Sequence, residues 1–493
     1  MSFMLKHKNR LRCARLLVAA AVALCASATP AHAAGAAEYS VINLGPDAGV
    51  ALLNQRGQAA FAAWSPDETV NGFFDGQRVH LLPSLGGSFT YVRGLNNLGV
   101  VVGQSQDASL DYRAFSWTVA RGMRALPGPT LADANAINNR NQVVGAVRAG
   151  PQSFYTRANR WDPNGSLTSL GPLPARISTA WAINDSGVAV GDAEVQFQDS
   201  HAMVWDAAGK ATDLGTFGGA QSTAKQVNAS GQVLGTYYKD GRGIGFLWCR
   251  EQGMLRIGPD SGAQYVTALN DKGEVTGNNL AANGDPAYPY RPFLWTAGSG
   301  MRPLPVAGAL DARVLALNNR REMVGYLART PQDTFSRRAV LWSGVANPVD
   351  LNTRLYRAPA GLVLYAANAI NDDGAILADS SAGLVLLRPG KTGTAAPVLG
   401  AIAGAPAGGP LATGATVDFT AHFVDSAVAE SHAASASVND GCPQAAPSLR
   451  ERRGAGDVSL RHTFCKAGAF TVKIKVTDRA GNATQVQRRV SVD

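Results

Sequence analysis

The segments AINNRNQVVG at residues 136–145 and ALNNRREMVG at residues 316–325 lie 180 residues apart and are closely similar. Outward from them, the pattern of an apolar residue, an asparagine, two variable residues and usually a glycine occurs eight times. The asparagines are Asn54, Asn96, Asn138, Asn184, Asn228, Asn270, Asn318 and Asn371, with spacings of 42, 42, 46, 44, 42, 48 and 53 residues. A period of about 45 residues is typical of a repeat array.

Each repeat unit contains four short segments with strand character and none with helical periodicity. Alternating small and apolar residues precede the asparagine, and a run such as QVVG follows it. Asparagine bonds to its own backbone in turns, and glycine or asparagine adopts the left-handed conformation that closes them. A third segment ends in tryptophan, at Trp117, Trp161, Trp205, Trp248, Trp295 and Trp342, where we expect packing between units. Four strands per unit predict a β-propeller blade.

The two ends of the array predict how it closes. YSVINLG at residues 39–45 has the character of a fourth strand, whereas the unit after Asn371 lacks one. We therefore expect residues 39–44 to pair with the strand near residues 384–387, which removes an exposed sheet edge. The predicted fold is all-β, an eight-bladed β-propeller over residues 34–388. Seven blades is the alternative, because the first and last units match the pattern least well.

The N-terminus has the features of a secretory signal peptide. Residues 1–33 carry five basic side chains and no acidic one, then an apolar run at residues 16–26, and Ala31-His32-Ala33. We expect cleavage after Ala33; a lipid anchor on Cys25 is the alternative, although Leu24 occupies a position that favours a small residue. The net charge of +9 then falls to 9 − 5 = +4. We expect an exported monomer, secreted or periplasmic, without a nucleic-acid partner or stable membrane insertion.

The cysteine positions agree with an oxidising compartment. Removal of the signal peptide leaves Cys249, Cys442 and Cys465, and the last two lie 23 residues apart. We predict a Cys442–Cys465 disulfide and a buried free thiol at Cys249. The spacing of these cysteines does not match a zinc site.

The repeat units resemble the HAF family of bacterial extracellular repeats. The resemblance rests on LGTFGGAQSTAKQVNASGQVLG at residues 214–235, with HAMVW and GFLW, and covers roughly residues 39–388. The His-Ala-Phe tripeptide that names the family is nowhere intact, and His201-Ala202-Met203 is among its nearest equivalents. The resemblance implies a secreted repeat protein and implies no established activity.

A second domain follows a linker rich in Pro, Gly and Ala at residues 389–410. Residues 411–493 show alternating segments that predict a small immunoglobulin-like β-sandwich. Asp440-Gly441, His462-Thr463-Phe464 and FTVKIKVTD resemble the polycystic-kidney-disease (PKD) type of domain, although the usual tryptophan before the Asp-Gly turn is absent. The resemblance implies a spacer or binding module.

Catalytic and metal sites are weakly indicated. His80 and His201 are the histidines of the repeat region, about 120 residues apart, and we interpret both as structural. The chain contains no nucleophile elbow, zinc-protease motif or phosphate loop. The turns at Asn184-Asp185, Asn270-Asp271 and residues 371–374 offer oxygen atoms for calcium, but a short turn supplies too few ligands. We predict neither a metal nor a cofactor.

The connections between the second and third strands are the least repetitive part of each unit. They vary in length and carry aromatic residues beside Arg and Asp, as ligand-binding loops do. The predicted ligand-binding residues are Tyr112, Tyr155, Phe197, Tyr238, Tyr288, Tyr290 and Phe335. The leading hypothesis is a non-enzymatic protein that binds a protein or carbohydrate ligand on this face. The alternative is a polysaccharide hydrolase or lyase with carboxylates gathered at the centre of the ring.

Overall fold

The computed structural model describes residues 38–46, 48–64, 69–150, 153, 155–171, 177–196, 199–258, 264–280, 290–330, 333–356, 358–390, 397–404, 410–425, 432–452, 455–478 and 482–493. The predicted signal peptide at residues 1–33 lies outside them. No helix in this part of the chain is long and apolar enough to cross a membrane. The chain forms two compact units, one of Val41–Leu387 and one that contains Arg388–Asp493 and the residues just before Val41.

The first unit consists of four-stranded antiparallel sheets, which we number along the chain. Sheet 1 contains β2 (Val50–Leu53), β3 (Ala59–Trp64), β4 (Thr69–Phe74) and β5 (Val79–Leu82). Sheet 2 contains β6 (Gly86–Leu95), β7 (Val101–Asp107), β8 (Tyr112–Thr118) and β9 (Gly122–Ala125). Sheet 3 contains β10 (Ala132–Ile137), β11 (Val143–Arg148), β12 (Thr156–Trp161) and β13 (Leu167–Ser169). Sheet 4 contains β14 (Ser178–Ile183), β15 (Ala189–Gln196), β16 (Asp199–Trp205) and β17 (Ala211–Asp213).

The same order continues through the second half of this unit. Sheet 5 contains β18 (Gln221–Val227), β19 (Val233–Lys239), β20 (Arg242–Cys249) and β21 (Gly253–Arg256). Sheet 6 contains β22 (Gln264–Leu269), β23 (Val275–Asn279), β24 (Arg291–Thr296) and β25 (Gly300–Pro303). Sheet 7 contains β26 (Asp311–Leu317), β27 (Glu322–Ala328), β28 (Arg338–Ser343) and β29 (Val349–Asp350), with 3-10 helices at Thr334–Ser336 and Leu351–Arg354. Sheet 8 contains β30 (Leu364–Ile370), β31 (Ile376–Ser380), β32 (Gly383–Gly390) and β1 (Glu38–Gly45).

The repeat tryptophans pack each sheet against the preceding one, as the sequence predicts. Trp205 of sheet 4 shares a core with Val144 of sheet 3, and Trp342 of sheet 7 shares one with Leu294 of sheet 6. Among the six, Trp248 is half-buried and the other five are buried. A tryptophan buries more apolar area than any other side chain at this position would, so it stabilises the contact between two sheets that are individually too small to fold.

The last sheet packs on the first. Leu384 and Leu386 of sheet 8 share one hydrophobic core with Ala59 and Phe61 of sheet 1. The strands β1 and β32 are neighbours in sheet 8, so the N-terminal strand supplies the fourth strand that the last unit lacks. This pairing confirms the closure predicted from residues 39–44.

The repeated asparagines connect the sheets by one cycle of hydrogen bonds. The side-chain Nδ2 of each asparagine donates to the backbone carbonyl oxygen of the next repeat asparagine, at 2.9–3.2 Å, from Asn54 round to Asn371. Asn371 then donates to the carbonyl oxygen of Asn54 at 3.1 Å, 317 residues away. The eight side chains are buried, where an unmade hydrogen bond is costly.

The Oδ1 atom of each asparagine serves its own turn. In the first unit it accepts the backbone N–H groups of Arg56 and Gln58 at 3.0 and 2.9 Å. The residue three positions after the asparagine has a positive φ in every unit, including Asn141 at 59° and Arg321 at 62°, where glycine is replaced. Each asparagine therefore shapes one turn and attaches it to the next.

The second unit contains two sheets that pack on one core. Sheet 9 contains, in spatial order, β33 (Val398–Leu399), β34 (Thr416–Val424), β37 (Ala455–Thr463) and β36 (Ser448–Arg452). Sheet 10 contains β35 (Ala433–Val438), β38 (Gly468–Thr477) and β39 (Ala483–Val492). β33 and the core residue Ile402 fall within residues 389–410, the segment predicted as a linker. Cys442 and Cys465 form the predicted disulfide, and Cys249 is a buried free thiol.

A buried histidine joins two carboxylates in the second unit. The ring atoms Nδ1 and Nε2 of His432 lie 3.0 Å from Glu451 Oε2 and 3.0 Å from Asp425 Oδ2, and the side chain is fully buried. Burial disfavours the imidazolium, but the hydrogen bonds to Glu451 and Asp425 outweigh it and raise the pKa of His432. Both nitrogen atoms can donate only when the imidazole is protonated, so the two carboxylates favour the charged ring in the folded state.

We expect Asn228→Asp to destabilise the first unit. Asn228 Nδ2 donates to the Asn270 carbonyl at 3.0 Å and to Gln232 Oε1 at 2.7 Å, and aspartate replaces this donor by a charged oxygen. The loss in unfolding free energy should be about 1–3 kcal/mol, measured by chemical denaturation. Asn164→Asp, in an exposed turn, is the control and should change it by less than about 0.5 kcal/mol. Equal losses for the two variants would contradict this role.

Deletion of residues 34–45 should lower the melting temperature of the first unit, because it removes β1 and exposes the edge of β32. It also removes Leu44, which is 4% exposed and packs in the core between sheets 8 and 1. Differential scanning calorimetry of the mature chain measures the effect, with deletion of residues 34–37 as the control. A truncated protein that melts like the intact one would show that β1 is dispensable.

The unfolding free energy of the second unit should fall as the pH rises above the ordinary histidine value of 6.5. A raised pKa in the folded state stabilises that state fully below the unfolded pKa, and this contribution disappears as the pH passes the folded pKa. His432→Gln should flatten the dependence, whereas exposed His422→Gln should preserve it. Calorimetric scans from pH 5.5 upward provide the measurement, and an unchanged slope in His432→Gln would refute the assignment.

Candidate functional site

The ring of sheets has two rims with different character. Because strands in each sheet are antiparallel, their connections alternate between two ends. The asparagine turns between first and second strands mark one end, which we call the asparagine rim. The connections between second and third strands, and those from one sheet to the next, mark the opposite end, which we call the loop rim.

On the asparagine rim, a second set of hydrogen bonds involves the residue after each repeat asparagine. In seven of the eight units its backbone N–H donates to the side-chain oxygen of the equivalent residue in the next unit, as from Asn139 to Asp185 Oδ1 at 2.8 Å and from Ala229 to Asp271 Oδ1 at 2.9 Å. Asn319 Nδ2 donates to both Asp271 Oδ2 and Asp372 Oδ2, each at 2.9 Å. The oxygen atoms considered for calcium are therefore already hydrogen-bond acceptors.

One close group of potential metal ligands occurs among the residues that the structure describes, and it lies in the second unit. It comprises Asp440, Cys442 and His462. The sulfur of Cys442 is bonded to Cys465, and His462 Nε2 lies 2.6 Å from Asp440 Oδ2. The group is thus a buried histidine–aspartate pair beside a disulfide, and its sulfur is not a thiolate ligand.

The two histidines of the repeat region lie in separate sheets and have separate partners. His80, in the outer strand of sheet 1, has its Nε2 atom 2.7 Å from Asp75 Oδ2. His201, in sheet 4, has its Nδ1 atom 2.9 Å from Asp213. Each aspartate belongs to the histidine's own sheet, which favours the structural interpretation of both residues.

The first strands of the eight sheets contact one another in succession and form the inner wall of the ring. Asp133 and Asp311 lie on this wall and Asp192 lies beside it, and each of the three has partners of its own. Asp133 lies 3.5 Å from Arg93, and burial raises its pKa although Arg93 lowers it. Asp192 accepts hydrogen bonds from Trp181 and from Thr223. Asp311 accepts hydrogen bonds from the Tyr326 hydroxyl and from the Tyr290 backbone N–H.

The predicted ligand-binding aromatics occupy different environments. Tyr112 is half-buried, with its ring centroid 6.0 Å from that of Tyr91, while Tyr155 is exposed. Phe335 is 74% exposed in the 3-10 helix of sheet 7, and its ring meets Tyr365 edge-on at 6.0 Å. Phe197 and Tyr288 lie outside the described residues.

The segment YYKDGRG at residues 237–243 forms a tight hairpin between β19 and β20. Lys239 pairs with Arg242 across β19 and β20. Because side chains alternate along a strand, Tyr237 is fully buried and stacks on Phe217, whereas Tyr238 is 45% exposed. Tyr237 is thus a core residue, and only Tyr238 is available to a ligand.

Tyr238, Tyr265, Tyr290 and Arg313 form a group that crosses sheets 5, 6 and 7. The rings of Tyr265 and Tyr290 meet edge-on with centroids 5.6 Å apart, and the Arg313 guanidinium lies 3.8 Å above the Tyr290 ring. Burial raises the pKa of Tyr265, the hydroxyl groups of Tyr290 and Tyr238 raise it further, and Arg313 lowers it. All four side chains therefore interact on the loop rim.

The group continues across sheet 7. Arg313 pairs with Tyr326 across β26 and β27, and the Arg337 guanidinium lies 4.4 Å from the Tyr326 ring. Asp311 accepts a hydrogen bond from the Tyr326 hydroxyl at 3.3 Å and one from the Tyr290 backbone N–H at 3.1 Å. It is 3% exposed, so it fixes the two tyrosines from beneath.

We name this surface the tyrosine–arginine arc. Its members are Tyr238, Tyr265, Tyr290, Arg313, Tyr326 and Arg337, with Phe335 and Tyr365 at its end on sheets 7 and 8. Sequence reasoning identified Tyr238, Tyr290 and Phe335 and missed the others. Most of the missed residues lie within strands, and Arg337 directly precedes β28. A signal was present nevertheless: Tyr265 and Arg313 each stand five residues before a repeat asparagine.

A cleft of 310 Å³ lies between sheets 6 and 7 on the asparagine rim. It is lined by Leu294, Thr296, Gly298, Ser299, Arg302, Arg321 and Val345. Arg321 donates to Glu274 Oε1. Burial raises the pKa of Glu274, but the hydrogen bonds from Arg321 and Asn270 lower it by more, so the net shift is downward. Of the two arginines of this cleft, Arg321 is therefore paired with a carboxylate within the protein.

Residues 401–491 match the PKD domain family. No curated protein matches the chain. Solved structures with partial similarity include TolB from Acinetobacter baumannii, at 11% identity over 60% of this chain and 77% of that chain, with a TM-score of 0.32. Puromycin hydrolase, as an S511A mutant complexed with PGG, is 12% identical over 70% and 58%, with a TM-score of 0.41.

A eukaryotic initiation factor is 10% identical over 71% of this chain and 92% of that chain, with a TM-score of 0.42. The chain spans little more than half of the puromycin hydrolase structure. At these identities and scores, none of the three similarities bears on the function of this chain.

Proposed function

We propose that this protein is an exported, non-enzymatic binding protein whose tyrosine–arginine arc holds an extended carbohydrate. The observation that carries the proposal is the contact of Tyr265 with Tyr290 and of Tyr290 with Arg313, on a rim where Tyr238 and Tyr265 are 45% and 51% exposed. Exposed tyrosine rings offer flat apolar area with a polar tip, which suits the faces and hydroxyl groups of sugar rings.

The arc is preorganised, which supports a binding role. Tyr290 is held by its ring contact with Tyr265, by Arg313 on its face and by Asp311 at its backbone. Side chains already fixed in this way lose little conformational entropy when a ligand binds. The arc also crosses several sheets, so a chain-like ligand has more contacts available to it than a small molecule does.

In this proposal the first unit is an eight-bladed β-propeller of HAF-type repeats. The eight four-stranded sheets and the closed cycle of eight asparagines support that count. Residues 1–33 serve as a signal peptide, and the disulfide between Cys442 and Cys465 is consistent with export. The PKD-like unit acts as a spacer or a second binding module.

We favour binding over the alternative of a polysaccharide hydrolase or lyase. Such an enzyme needs two carboxyl groups placed on either side of the scissile bond. Asp133, Asp192 and Asp311 each have a separate partner, as described above, and the residues that gather on the loop rim are aromatic and basic.

Tyr238→Ala and Tyr265→Ala should each weaken binding of a polysaccharide about tenfold or more without unfolding the ring, because aromatics central to an interface contribute about 2 kcal/mol. Isothermal titration calorimetry of the mature protein against polysaccharides retained in affinity electrophoresis measures the loss. Tyr155→Ala, an exposed tyrosine on the same rim outside the arc, is the matched control.

The proposal fails if a polysaccharide binds and survives both arc variants but is lost in Asp185→Ala or Asp271→Ala on the asparagine rim. It also fails if no polysaccharide is retained. Thermal unfolding of every variant must match that of the intact protein, because exposed residues rarely change stability by more than about 0.5 kcal/mol.

A further inference from the structure

Arg313 and Arg337 of the arc are partly buried, and among the described residues neither has a carboxylate partner, whereas several other arginines of the ring are paired. Arg113 lies 2.6 Å from Asp107, Arg160 lies 3.0 Å from Asp162, and Arg321 donates to Glu274. Arg313 and Arg337 instead lie over tyrosine rings, and within the described ranges neither guanidinium has a hydrogen-bond or ion-pair partner. The Nε atom of each is buried without an acceptor.

Asp311, a carboxylate of the same sheet, forms no described ion pair with either arginine. Asp311 is two residues from Arg313, but its oxygen atoms accept hydrogen bonds from the Tyr326 hydroxyl and the Tyr290 backbone. Both arginines interact electrostatically with Tyr326. Burial and Asp311 raise the pKa of its hydroxyl group, whereas Arg313 and Arg337 lower it. The two guanidinium groups thus flank Tyr326.

The described part of the loop rim of sheets 6 and 7 carries more basic than acidic side chains. Its described residues, 290–291, 310–313, 326–330 and 333–338, contain five arginines and two aspartates, a balance of 5 − 2 = +3. The charged side chains described on this part of the rim are therefore mainly arginines.

We infer that the carbohydrate held by the arc is acidic, a polysaccharide that carries carboxylate or sulfate groups along its length. The inference rests on the proposed function and specifies its ligand. A guanidinium group with one face on an aromatic ring can still present its terminal N–H groups, which pair with two oxygen atoms of one anionic group. Arg313 lies in β26 and Arg337 directly precedes β28, two strand spacings away, so the two residues stand on the order of 10 Å apart.

Each element of the arc then has a separate role. Tyr238, Tyr265 and Tyr290 contact the faces of the sugar rings, while Arg313 and Arg337 bind acidic groups on different sugar units of one chain. Asp311 holds the tyrosines in place without taking the charge of the arginines. A neutral polysaccharide would leave both guanidinium groups unpaired in a partly desolvated site, which costs binding free energy.

The test uses matched acidic and neutral polymers with the mature full-length protein. Polygalacturonate is compared with its carboxyl-reduced form, and dextran sulfate with dextran, by calorimetric titration. Either acidic polymer should bind at least tenfold more tightly than its neutral counterpart, and its binding should weaken as salt is raised. Arg313→Gln and Arg337→Gln should each lower that affinity about tenfold. Arg56→Gln, an exposed arginine on the asparagine rim, should leave it within about twofold.

Arg313→Lys keeps the charge but loses the paired N–H edge, so we expect an affinity between those of the intact protein and Arg313→Gln. The inference is overturned if the neutral polymers bind as tightly as the acidic ones, or if Arg313→Gln and Arg337→Gln bind normally while Tyr265→Ala does not. In that case the proposed function stands. If single-stranded DNA is retained through Arg313 and no polysaccharide is, both the inference and the proposed function are wrong.

Discussion

The hydrogen bond from an asparagine side chain to the backbone of the next asparagine is the interaction on which the ring depends. It satisfies a buried polar group in each of two sheets, so neither sheet is complete without its neighbour. The bond from Asn371 to Asn54 makes this dependence circular. A four-stranded sheet of short strands is not stable by itself, and the repeated contact converts eight such sheets into one cooperative structure.

The fold was predictable because its signals are local and are repeated eight times. The asparagine turn, the left-handed residue after it and the tryptophan that ends the third strand can each be identified within one unit. The donation from Asn228 to Asn270 could not be identified in that way, since it joins residues 42 positions apart and has no signature inside either turn. Sequence reasoning therefore assigned the asparagine to its own turn and missed its second role.

The candidate site was predictable only in part, for a related reason. Loop composition directs attention to Tyr290 and Phe335, but side-chain direction within a strand decides whether a tyrosine is core or surface. Tyr237 and Tyr238 are adjacent and chemically identical, and one is fully buried while the other is 45% exposed. Arg313 lies in an inner strand, and its importance arises from Tyr290, which the fold brings to it from another sheet.

One position interrupts the second set of hydrogen bonds on the asparagine rim, because Ala229 has no side-chain oxygen to accept the N–H of Asp185. The same two sheets are joined on the inner wall by Thr223, which donates to Asp192 at 3.0 Å, and by Lys225, which lies 3.8 Å over the Trp181 ring. Neither contact is part of the repeated pattern. Units of this ring are consequently not interchangeable. A duplication or exchange of repeats that separated sheet 4 from sheet 5 would place each of them beside a sheet that lacks the residues for these two contacts. Recombination within such an array is thus constrained at one joint by residues that no repeat consensus contains.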